Sequence, residues 1–427
     1  MASLDKKHLV TIVNNEFLKD PRVHRTIFSL TDTFGQISVV SGVPHPIRKK
    51  QEHLKNIVIY RHRFFKPNFG GARIVKWATV VAVGSKATGI SPENSKNKPT
   101  RICSSLLRNI LFLGWFTYLL MMNLVIVIRY RGIAGSLYYA NDLDTLLAGY
   151  LLSRLHRARL IYDAHELYSD LFETGPKLYR LLLNRLEGSL ARKADAVITV
   201  NDSIAEILQA RHDLPQKPTV LLNCPPLQPG PTRTHFPRLP YKILYHGMYL
   251  PGRNLEGLVL SMQYVEDARL YLRGYGVLEE LLKQIVDQHR LHDKVFLLDP
   301  VPMAELISQA AEFDIGIVPY PGNALNLNSY YCTPNKAFEY MMAGLALAVS
   351  DLPELKRIVN ECEVGITFDS SDPKSLGQAL RELTKESLQQ MQVNASTAAR
   401  ETFNFELEAQ KLRRVIQNLQ DSKGQGA

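Results

Sequence analysis

Cysteine is scarce in this chain of 427 residues, and the four that occur are Cys103, Cys224, Cys332 and Cys362. They form no Cys-x-x-Cys spacing and lie far apart, so neither a zinc site nor a disulfide framework is expected. Reduced thiols in the cytosol fit this pattern best. The first ten residues also lack the long apolar core of a signal peptide, which agrees with a cytoplasmic location.

Nucleic-acid-binding motifs are absent as well, although the formal net charge is +10. The basic residues are spread along the chain rather than grouped with aromatic residues, so no nucleic-acid partner is expected. The positive charge suits a phosphorylated ligand or an anionic membrane instead. With 45% hydrophobic and 22% charged residues, the composition is that of a globular protein of two or three domains.

Charged residues are missing from the stretch 109–128, which arginines flank at 108, 129 and 131. By length this stretch could cross a bilayer. However, a predicted strand of the same sheet follows at 136–140, and a span would divide one domain across the membrane. We favour a buried or half-buried helix, then a helix lying in a membrane interface, and least a true span. The flanking arginines favour an anionic surface if a membrane is involved.

Short apolar runs alternate with helical patterns along the whole chain, which predicts a doubly wound α/β architecture. The predicted strands are 8–14, 36–41, 57–61, 137–140, 159–162, 196–200, 220–222, 242–245, 268–272, 295–298, 315–318 and 345–349. Helices are predicted after Pro334 and over 376–383 and 406–419.

Polar clusters follow several of the predicted strands in the first half of the chain. Asp142 and Asp144 follow one strand, and His165 and Glu166 follow the next. Ligands of open α/β sheets bind outside the carboxyl ends of strands, so these side chains are candidate site residues. Arg22 begins a helix that Asp20 is expected to cap and Pro21 to open, which makes it a phosphate candidate. Structural roles for His165 and Arg22 remain open alternatives.

A proline-rich segment divides the chain and predicts the domain limits. We expect a first domain at 1–224, a linker at 225–240, a second domain at 241–403, and a terminal helix and polar tail at 404–427. In the second domain, a strand leads into a loop that contains Gly247 and Arg253. A glycine lets the backbone approach a ligand, and an arginine at a helix start suits phosphate.

The stretch 330–354 is the most informative part of the second half. Pro334 is expected to open a helix that brings Lys336 and Glu339 to one face, and Gly344 is expected to end it. A cation and carboxylates around a helix start and a strand end suit a phosphate and a hydroxyl-rich sugar or ribose. A surface helix with ordinary charges is the alternative for this stretch taken alone.

Several motifs together resemble those of glycosyltransferase family 4, the retaining, nucleotide-sugar-dependent enzymes of the GT-B fold. Asp-Pro-Arg-Val at 20–23 and Pro-Asn-Lys-Ala-Phe-Glu-Tyr-Met at 334–341 are similar to motifs of a bacterial subgroup. The strand-end motifs at 141–145 and 162–167, and the loop at 247–256, are similar to further family motifs. The resemblance covers nearly the whole chain. It implies two Rossmann-like doubly wound domains that face a central cleft.

The resemblance also implies roles for individual residues. Glu339 would hold the ribose hydroxyls of the donor, and Asn335 lies beside it in the donor motif. Arg253 and Lys336 would neutralise the diphosphate, while Gly247 would let the backbone approach it. His165 would lie near the transferred sugar. The residues on the acceptor side would be Arg22, Asp142, Asp144 and Glu166.

The expected activity is hexosyl transfer from a nucleotide diphosphate sugar to a hydroxyl, in cell-surface polysaccharide or glycolipid synthesis. No metal or other cofactor is expected, because the Asp142–Asp144 spacing lies in the wrong half of the chain to hold the diphosphate. Many family members carry a glutamate where this chain has Tyr331. A catalytically silent binding subunit therefore remains an alternative. A sugar-nucleotide epimerase or hydrolase that uses the same two-domain cleft is another alternative.

The expected partners are the nucleotide-sugar donor and a sugar or lipid-linked acceptor, with no nucleic acid. The stretch 109–128 and its basic surroundings suggest a peripheral contact with the inner face of the membrane.

Overall fold

The computed structural model describes residues 7–43, 47, 50–63, 101–172, 175–228, 237–322 and 326–421. The tail at 422–427 and the centre of the predicted linker, 229–236, lie outside the described residues. Contacts divide the chain into two compact units. The first comprises Met1–His24, Thr31–Leu160 and Thr174–Leu186, and the second comprises Arg25–Leu30, Ile161–Glu173 and Glu187–Ala427. The domain limits at 224, 240 and 403 stay predictions.

Within the described residues, the first sheet has eight strands in the order β3-β4-β2-β1-β5-β6-β7-β8. β1 pairs in parallel with β2 and β5, and β2 pairs in parallel with β4, while β3 is antiparallel to β4. Its strands are β1 His8–Val13, β2 Gln36–Val43, β3 Gln51–Leu54, β4 Ile57–Arg63, β5 Leu137–Asn141, β6 Arg159–Ala164, β7 Ala196–Thr199 and β8 Thr219–Val220.

The second sheet has six strands in the order β11-β10-β9-β12-β13-β14, and all the neighbouring pairs are parallel. Its strands are β9 Tyr241–His246, β10 Ala268–Arg273, β11 Val295–Leu298, β12 Ile315–Val318, β13 Ala346–Ser350 and β14 Gly365–Phe368. Numbered within the sheet, this order is 3-2-1-4-5-6, which is that of a doubly wound dinucleotide-binding fold.

Helices connect the strands of both sheets. They are α1 Pro21–Phe28, α2 Arg101–Tyr130, α3 Leu143–Leu155, α4 Lys177–Ala191, α5 Asp202–His212, α6 Leu255–Ser261, α7 Glu279–Gln288, α8 Leu306–Ala310, α9 Leu327–Tyr330, α10 Asn335–Met342, α11 Pro353–Cys362, α12 Ser375–Arg381, α13 Lys385–Glu401 and α14 Phe405–Asp421. Short 3₁₀ turns lie at Phe17–Lys19, Tyr168–Phe172, Met262–Tyr264 and Met303–Glu305.

Burial of the central strands explains their near-continuous apolar sequences. Every residue of β5, β12 and β13 is buried. Parallel strands are covered by helices on both faces, so the whole strand, and not every second residue, must be apolar. This is why short apolar runs without alternation correctly predict the positions of these strands.

Two short strands escape prediction from the sequence, and one helix start is shifted. β3 is polar, Gln-Glu-His-Leu, and lies at the edge of its sheet, while β14 begins with Gly365. Neither has the apolar run that marks a buried strand. Pro334 is the cap residue of α10 rather than its first residue, and Gly344 follows the helix with φ +75°, as a C-terminal glycine does.

Candidate functional site

The second sheet has a topological switch point between β9 and β12, where the strand order reverses. Ligands of this fold bind outside the carboxyl ends of the strands at such a point. His246 ends β9 and is followed by Gly247, while Tyr320 lies two residues after the end of β12. Lys336, in the first turn of α10, lies at the same place. Its Nζ is 3.2 Å from the position that a Cβ on Gly247 would occupy.

Gly247 is required at this point by its backbone and by its neighbours. Its φ of +133° is unfavourable for a residue with a side chain. A Cβ at Gly274, on the adjacent strand end, would lie 2.0 Å from the carbonyl oxygen of Gly247. Both glycines therefore permit close backbone packing beside Lys336, and a side chain at 247 would push against the ammonium group.

Two cations lie over aromatic rings at this switch point. The Lys336 Nζ is 3.7 Å from the centre of the Tyr245 ring and 5.5 Å from that of Tyr320, and the Arg253 guanidinium is 4.5 Å from that of Tyr320. Among the described residues, neither cation forms an ion pair with a carboxylate. Faces of aromatic rings attract cations without neutralising their charge. The pair is thus held in place and remains available for an anionic ligand.

The electrostatics of Lys336 agree with such a role. Its side chain is buried, and this desolvation, together with the nearby charge of Arg253, lowers the pKa of the ammonium to about 7. A bound anion would offset both effects, because it supplies the missing opposite charge. The geometry therefore favours an anion such as phosphate at this point.

Glu339 lies one turn beyond Lys336 on α10 and is held by His246. The His246 Nε2 is 2.8 Å from the Glu339 Oε2. Burial lowers the pKa of His246 despite its carboxylate partner. Burial alone would raise the pKa of Glu339, but the hydrogen bond from His246 and the charges of His246, Arg25 and Lys336 lower it overall. A hydrogen bond from the His246 Nε2–H to an ionised Glu339 agrees with the lowered pKa of this carboxyl group. The carboxylate can accept further hydroxyl donors.

The position of His246 is fixed by Tyr340, also on α10. The His246 backbone N–H donates to the Tyr340 hydroxyl over 2.8 Å, and the two rings are 4.5 Å apart. A Cβ on Gly316 of β12 would lie 2.1 Å from the Tyr340 ring, so only glycine leaves room for the tyrosine. This packing positions His246, which in turn orients the Glu339 carboxylate.

Sequence reasoning missed four contributors to this site: His246, Tyr245, Tyr320 and Arg25. Arg25 lies on α1, where its guanidinium donates to the Asn223 side chain over 2.7 Å and to the Cys224 carbonyl. Nothing in its sequence surroundings indicates a link to Glu339, which lies about three quarters of the chain length away. His246 was the detectable one, because it immediately precedes Gly247 at a strand end. Asn335, and not Pro334, is the first residue of α10, and its role in donor binding stays a prediction.

Hydrogen bonds within the second unit hold the segment around Tyr331. Asn201, which follows β7, donates to the Tyr331 carbonyl over 2.6 Å. Asn328 on α9 accepts from the Leu167 backbone N–H over 2.7 Å and donates to the Leu167 carbonyl over 3.0 Å. The predicted strand-end motif at 162–167 is thereby linked to the donor-motif segment. Tyr331 occupies the position where many family members have a glutamate, and its backbone carbonyl accepts the hydrogen bond from Asn201.

His165 and Glu166 precede Leu167 in this linked motif. The His165 Nε2 lies 3.4 Å from the Asp163 Oδ2, and the Asp163 carboxylate is buried. A carboxylate in this position orients an imidazole ring. Glu166 is exposed to solvent. The catalytic role of His165 and the acceptor-side role of Glu166 stay predictions.

The first sheet has its own switch point between β1 and β5, and here the side chains are amides and carboxylates. Asn14 follows β1 and donates to the Asp144 Oδ2 over 2.9 Å. Asp142 precedes α3 with φ +60° and ψ 168°, a strained conformation for a residue with a side chain. Strained backbone is concentrated at functional sites. The structure thus brings Asp142 and Asp144 to one switch point, together with Asn14, which the sequence did not identify.

Arg22 is placed as the sequence predicts. The Asp20 Oδ1 accepts from the backbone N–H groups of Arg22 and Val23, over 3.0 and 3.1 Å, and α1 begins at Pro21. The Arg22 side chain is buried, with 7% exposed. Its role on the acceptor side stays a prediction. Within the described residues, there is no group of three or more His, Cys, Asp or Glu side chains that could hold a metal ion.

Comparisons with known proteins agree with this architecture. The model "Glycosyltransferase Family 4" matches residues 106–225, and the model "Glycosyl transferases group 1" matches residues 240–386. A curated relative, a phosphatidyl-myo-inositol mannosyltransferase of Mycobacterium leprae, is 26% identical over 220 residues. That match covers 47% of this chain and 53% of the relative, so the chain spans about half the length of this curated relative.

Solved structures share the fold across nearly the whole chain. A sucrose-phosphate synthase from Thermosynechococcus elongatus has a TM-score of 0.69 at 15% identity, covering 98% of this chain and 100% of that one. HepE from Anabaena, solved in complex with UDP, has a TM-score of 0.60 at 14% identity, covering 96% and 100%. At this level of identity the likeness concerns the fold. With two parallel-sheet α/β domains and a matching family model in each half, the chain belongs to the glycosyltransferases of the GT-B fold.

Proposed function

We propose that this protein is a hexosyltransferase that moves a sugar from a nucleotide diphosphate sugar to a hydroxyl group of an acceptor. The observation that carries the proposal is the pair of ring-bound cations, Lys336 and Arg253, at the switch point of the second sheet. Beside them is a carboxylate that His246 orients, Glu339. A nucleoside diphosphate offers both partners that these groups require, a diphosphate and a ribose with two hydroxyls.

In this proposal each residue acts on one part of the donor. Lys336 and Arg253 neutralise the diphosphate, and the Gly247 backbone and the first turn of α10, with Asn335, approach its oxygens. Glu339 accepts hydrogen bonds from the ribose hydroxyls. The curated relative is a mannosyltransferase and HepE was solved with UDP, which supports a hexose donor linked to a nucleoside diphosphate.

The reaction exchanges one bond at the anomeric carbon for another. The bond from this carbon to the phosphate oxygen breaks, and a bond to the acceptor oxygen forms. The departing phosphate takes the proton of the acceptor hydroxyl, which fits retention of configuration by attack on the front face. Negative charge grows on the leaving phosphate, so the two cations stabilise the transition state more than the ground state. His165 acts next to the transferred sugar. No metal is required in this scheme.

The acceptor is proposed to bind on the side of the first sheet. Asp144, Asp142 and Asn14 offer oxygen and amide groups that suit sugar hydroxyls, and Arg22 and Glu166 add charges of both signs. We propose a sugar or lipid-linked acceptor, used in cell-surface polysaccharide or glycolipid synthesis at the inner face of the membrane. The name of the curated relative, whose printed substrate is a phosphatidyl-inositol lipid, supports this choice.

A nucleotide-sugar screen tests the proposal. Purified protein is warmed with a panel of UDP-, GDP- and ADP-sugars, and the stabilising donor is then incubated with and without candidate acceptors. We expect one nucleotide class to raise the melting temperature, and nucleoside diphosphate to be released only when an acceptor is present. Lys336→Met should strongly reduce both the stabilisation and the release of nucleoside diphosphate.

The other outcomes each identify an alternative. Product formed without any acceptor would indicate an epimerase or hydrolase. Stabilisation by nucleotide sugars without transfer to any lipid-linked or saccharide acceptor, and unchanged cellular glycans in the Lys336→Met strain, would indicate a silent binding subunit. The absence of stabilisation by every nucleotide would overturn the assignment of the donor site.

A further inference from the structure

An apolar stripe runs along the exposed side of α2. Six large side chains of this helix are exposed by 47% to 66%: Ile110, Leu113, Met121, Leu124, Val125 and Ile128. Their spacing of three, four and seven residues puts them on one face of the helix. Monomeric soluble proteins rarely expose this many large apolar side chains on one helix face, which makes the stripe a candidate interaction site.

The opposite face of α2 is tied to α3, which prevents the helix from leaving the domain. Leu119, Met122 and Ile126 are buried on that face. The Asn123 amide donates to the Asp144 carbonyl over 2.9 Å, and its oxygen accepts from the Ala148 backbone N–H over 2.8 Å. In length and composition the segment from Asn109 to Tyr130 could cross a membrane, but a span would leave these buried polar groups without partners. These contacts keep the helix packed against α3.

The start of α4, close to α2, carries two further exposed leucines. The rings of Phe112 on α2 and Tyr179 on α4 are 5.0 Å apart, so the start of α4 packs against α2 within the first unit. Leu178 and Leu181 of α4 are 60% and 46% exposed. We name the six α2 side chains together with Leu178 and Leu181 the α2–α4 face.

Charges of one sign surround the α2–α4 face. Arg129 and Arg131 are exposed at the end of α2, and Lys177 and Arg185 are exposed on α4. The sequence contains no aspartate or glutamate from 101 to 141 or from 174 to 186. Apolar side chains bordered by cations match the chemistry of an anionic lipid surface, which offers acyl chains and phosphate groups.

We propose that the α2–α4 face docks flat on a bilayer that contains anionic lipids. The apolar side chains enter the boundary between head groups and acyl chains, and Arg129, Arg131, Lys177 and Arg185 contact lipid phosphates. Docking needs no nucleotide sugar, so it goes beyond the proposed transfer and can be tested apart from it. A lipid-linked acceptor in the bilayer would be bound from the same surface.

Vesicle flotation of the full-length protein tests the apolar contribution. The vesicles contain phosphatidylcholine alone or phosphatidylcholine with phosphatidylglycerol. Val125→Glu has a matched control, because Val125 on α2 and Val393 on α13 are both 55% exposed valines in helices. We expect the native protein and Val393→Glu to float with phosphatidylglycerol vesicles. Val125→Glu should bind the vesicles at least roughly tenfold more weakly. The variant lacks a valine that would be buried in the bilayer, and it adds a negative charge that anionic lipids repel.

A charge series tests the second contribution. Arg131→Gln with Lys177→Gln should weaken binding to phosphatidylglycerol vesicles by about fivefold per cation, and salt should weaken native binding in the same direction. Lys242→Gln with Arg414→Gln removes the same charge from exposed positions in the second unit and should leave binding unchanged.

Three results would overturn the proposal. The native protein could fail to float with either vesicle at low salt. Val393→Glu could lose as much binding as Val125→Glu. Finally, the native protein could sediment as a dimer that Val125→Glu converts to a monomer, which would make the α2–α4 face an interface between two copies. Circular dichroism of each variant confirms that the fold is retained.

Discussion

The two switch points of this protein share a topology and differ in their chemistry. In both sheets the first strand lies next to a strand that follows a crossover, β1 beside β5 and β9 beside β12. At the second, Lys336 and Arg253 lie over aromatic rings. At the first, Asn14 and Asp144 form an amide–carboxylate hydrogen bond beside the strained backbone of Asp142. The same fold thus presents cations in one half and hydrogen-bonding oxygens in the other.

This difference shows that the fold provides the location and the side chains provide the ligand class. Cations without carboxylate partners favour a diphosphate, whereas amide and carboxylate groups favour neutral hydroxyls. The pKa of Lys336, lowered to about 7 by burial and by Arg253, is a consequence of the cationic arrangement. The following experiments test whether the two switch points are functionally separate.

Removal of the Lys336 charge should have the largest effect. Lys336→Met is expected to lower kcat by about a hundredfold to a thousandfold, because it removes a group that stabilises charge on the leaving phosphate. UDP affinity, or that of the nucleotide found by the screen, should fall by more than about tenfold in calorimetry. Lys356→Met is the control, since Lys356 is an exposed lysine of the same half that is paired with Asp351. Equal losses in both variants would contradict the site.

Removal of the Asp144 carboxylate should weaken acceptor binding and leave nucleotide binding unchanged. We expect Asp144→Ala to raise the KM for the acceptor by about tenfold, since one charge-assisted hydrogen bond is lost. The dissociation constant of the nucleotide should not change. Asp287→Ala, at an exposed position on α7, serves as the control. If nucleotide affinity falls as much as acceptor affinity, the division between the two switch points is wrong.

Nucleotide binding should depend on pH through Lys336. With its pKa lowered to about 7, Lys336 is protonated below that pH and becomes neutral above it in the free protein. A bound diphosphate raises this pKa again, so binding takes up a proton. Affinity should be nearly constant below about pH 7 and weaken by up to about tenfold per pH unit above it. If the nucleotide affinity of Lys336→Met fell with pH as steeply as that of the native protein, Lys336 would not be the source of the pH dependence.

Loss of the Tyr320 ring should have the smallest effect. Tyr320→Leu removes the surface on which the Arg253 guanidinium lies, and nucleotide affinity should fall by about twofold to fivefold. Tyr320→Phe keeps a ring and should restore most of the affinity. Tyr264→Leu is the control, because Tyr264 faces Lys374 over 5.7 Å in another part of the second unit. Failure of the Tyr320→Phe variant to recover affinity would argue against a ring–cation contribution.

Much of the fold could be predicted because its signals are local. Most of the predicted strands lie within about two residues of the observed ones, and Asp20 caps α1 as expected. Apolar runs, caps and C-terminal glycines act on residues a few positions away, so they can be read from the chain directly. The polar edge strand β3 has no such signal, since its place depends on pairing with β4.

The candidate site could be predicted only in part. Gly247, Arg253, Lys336 and Glu339 were identified because they follow strands or begin helices, and the structure brings them together. The roles of Tyr245, Tyr320 and His246 were not identified, because the contacts that define them join residues up to about a hundred positions apart. Arg25 influences Glu339 from the far end of the chain. Such contacts have no local pattern.

The sequence alone determined the architecture: two series of buried parallel strands whose polar ends carry the candidate residues. It did so because hydrophobic burial and helix ends depend on neighbours in the chain. Tertiary structure decided which cations lie over rings without a carboxylate partner, and which side of 109–128 faces outward. Both depend on packing between distant segments, because desolvation and exposure are set by the atoms that surround a side chain in space.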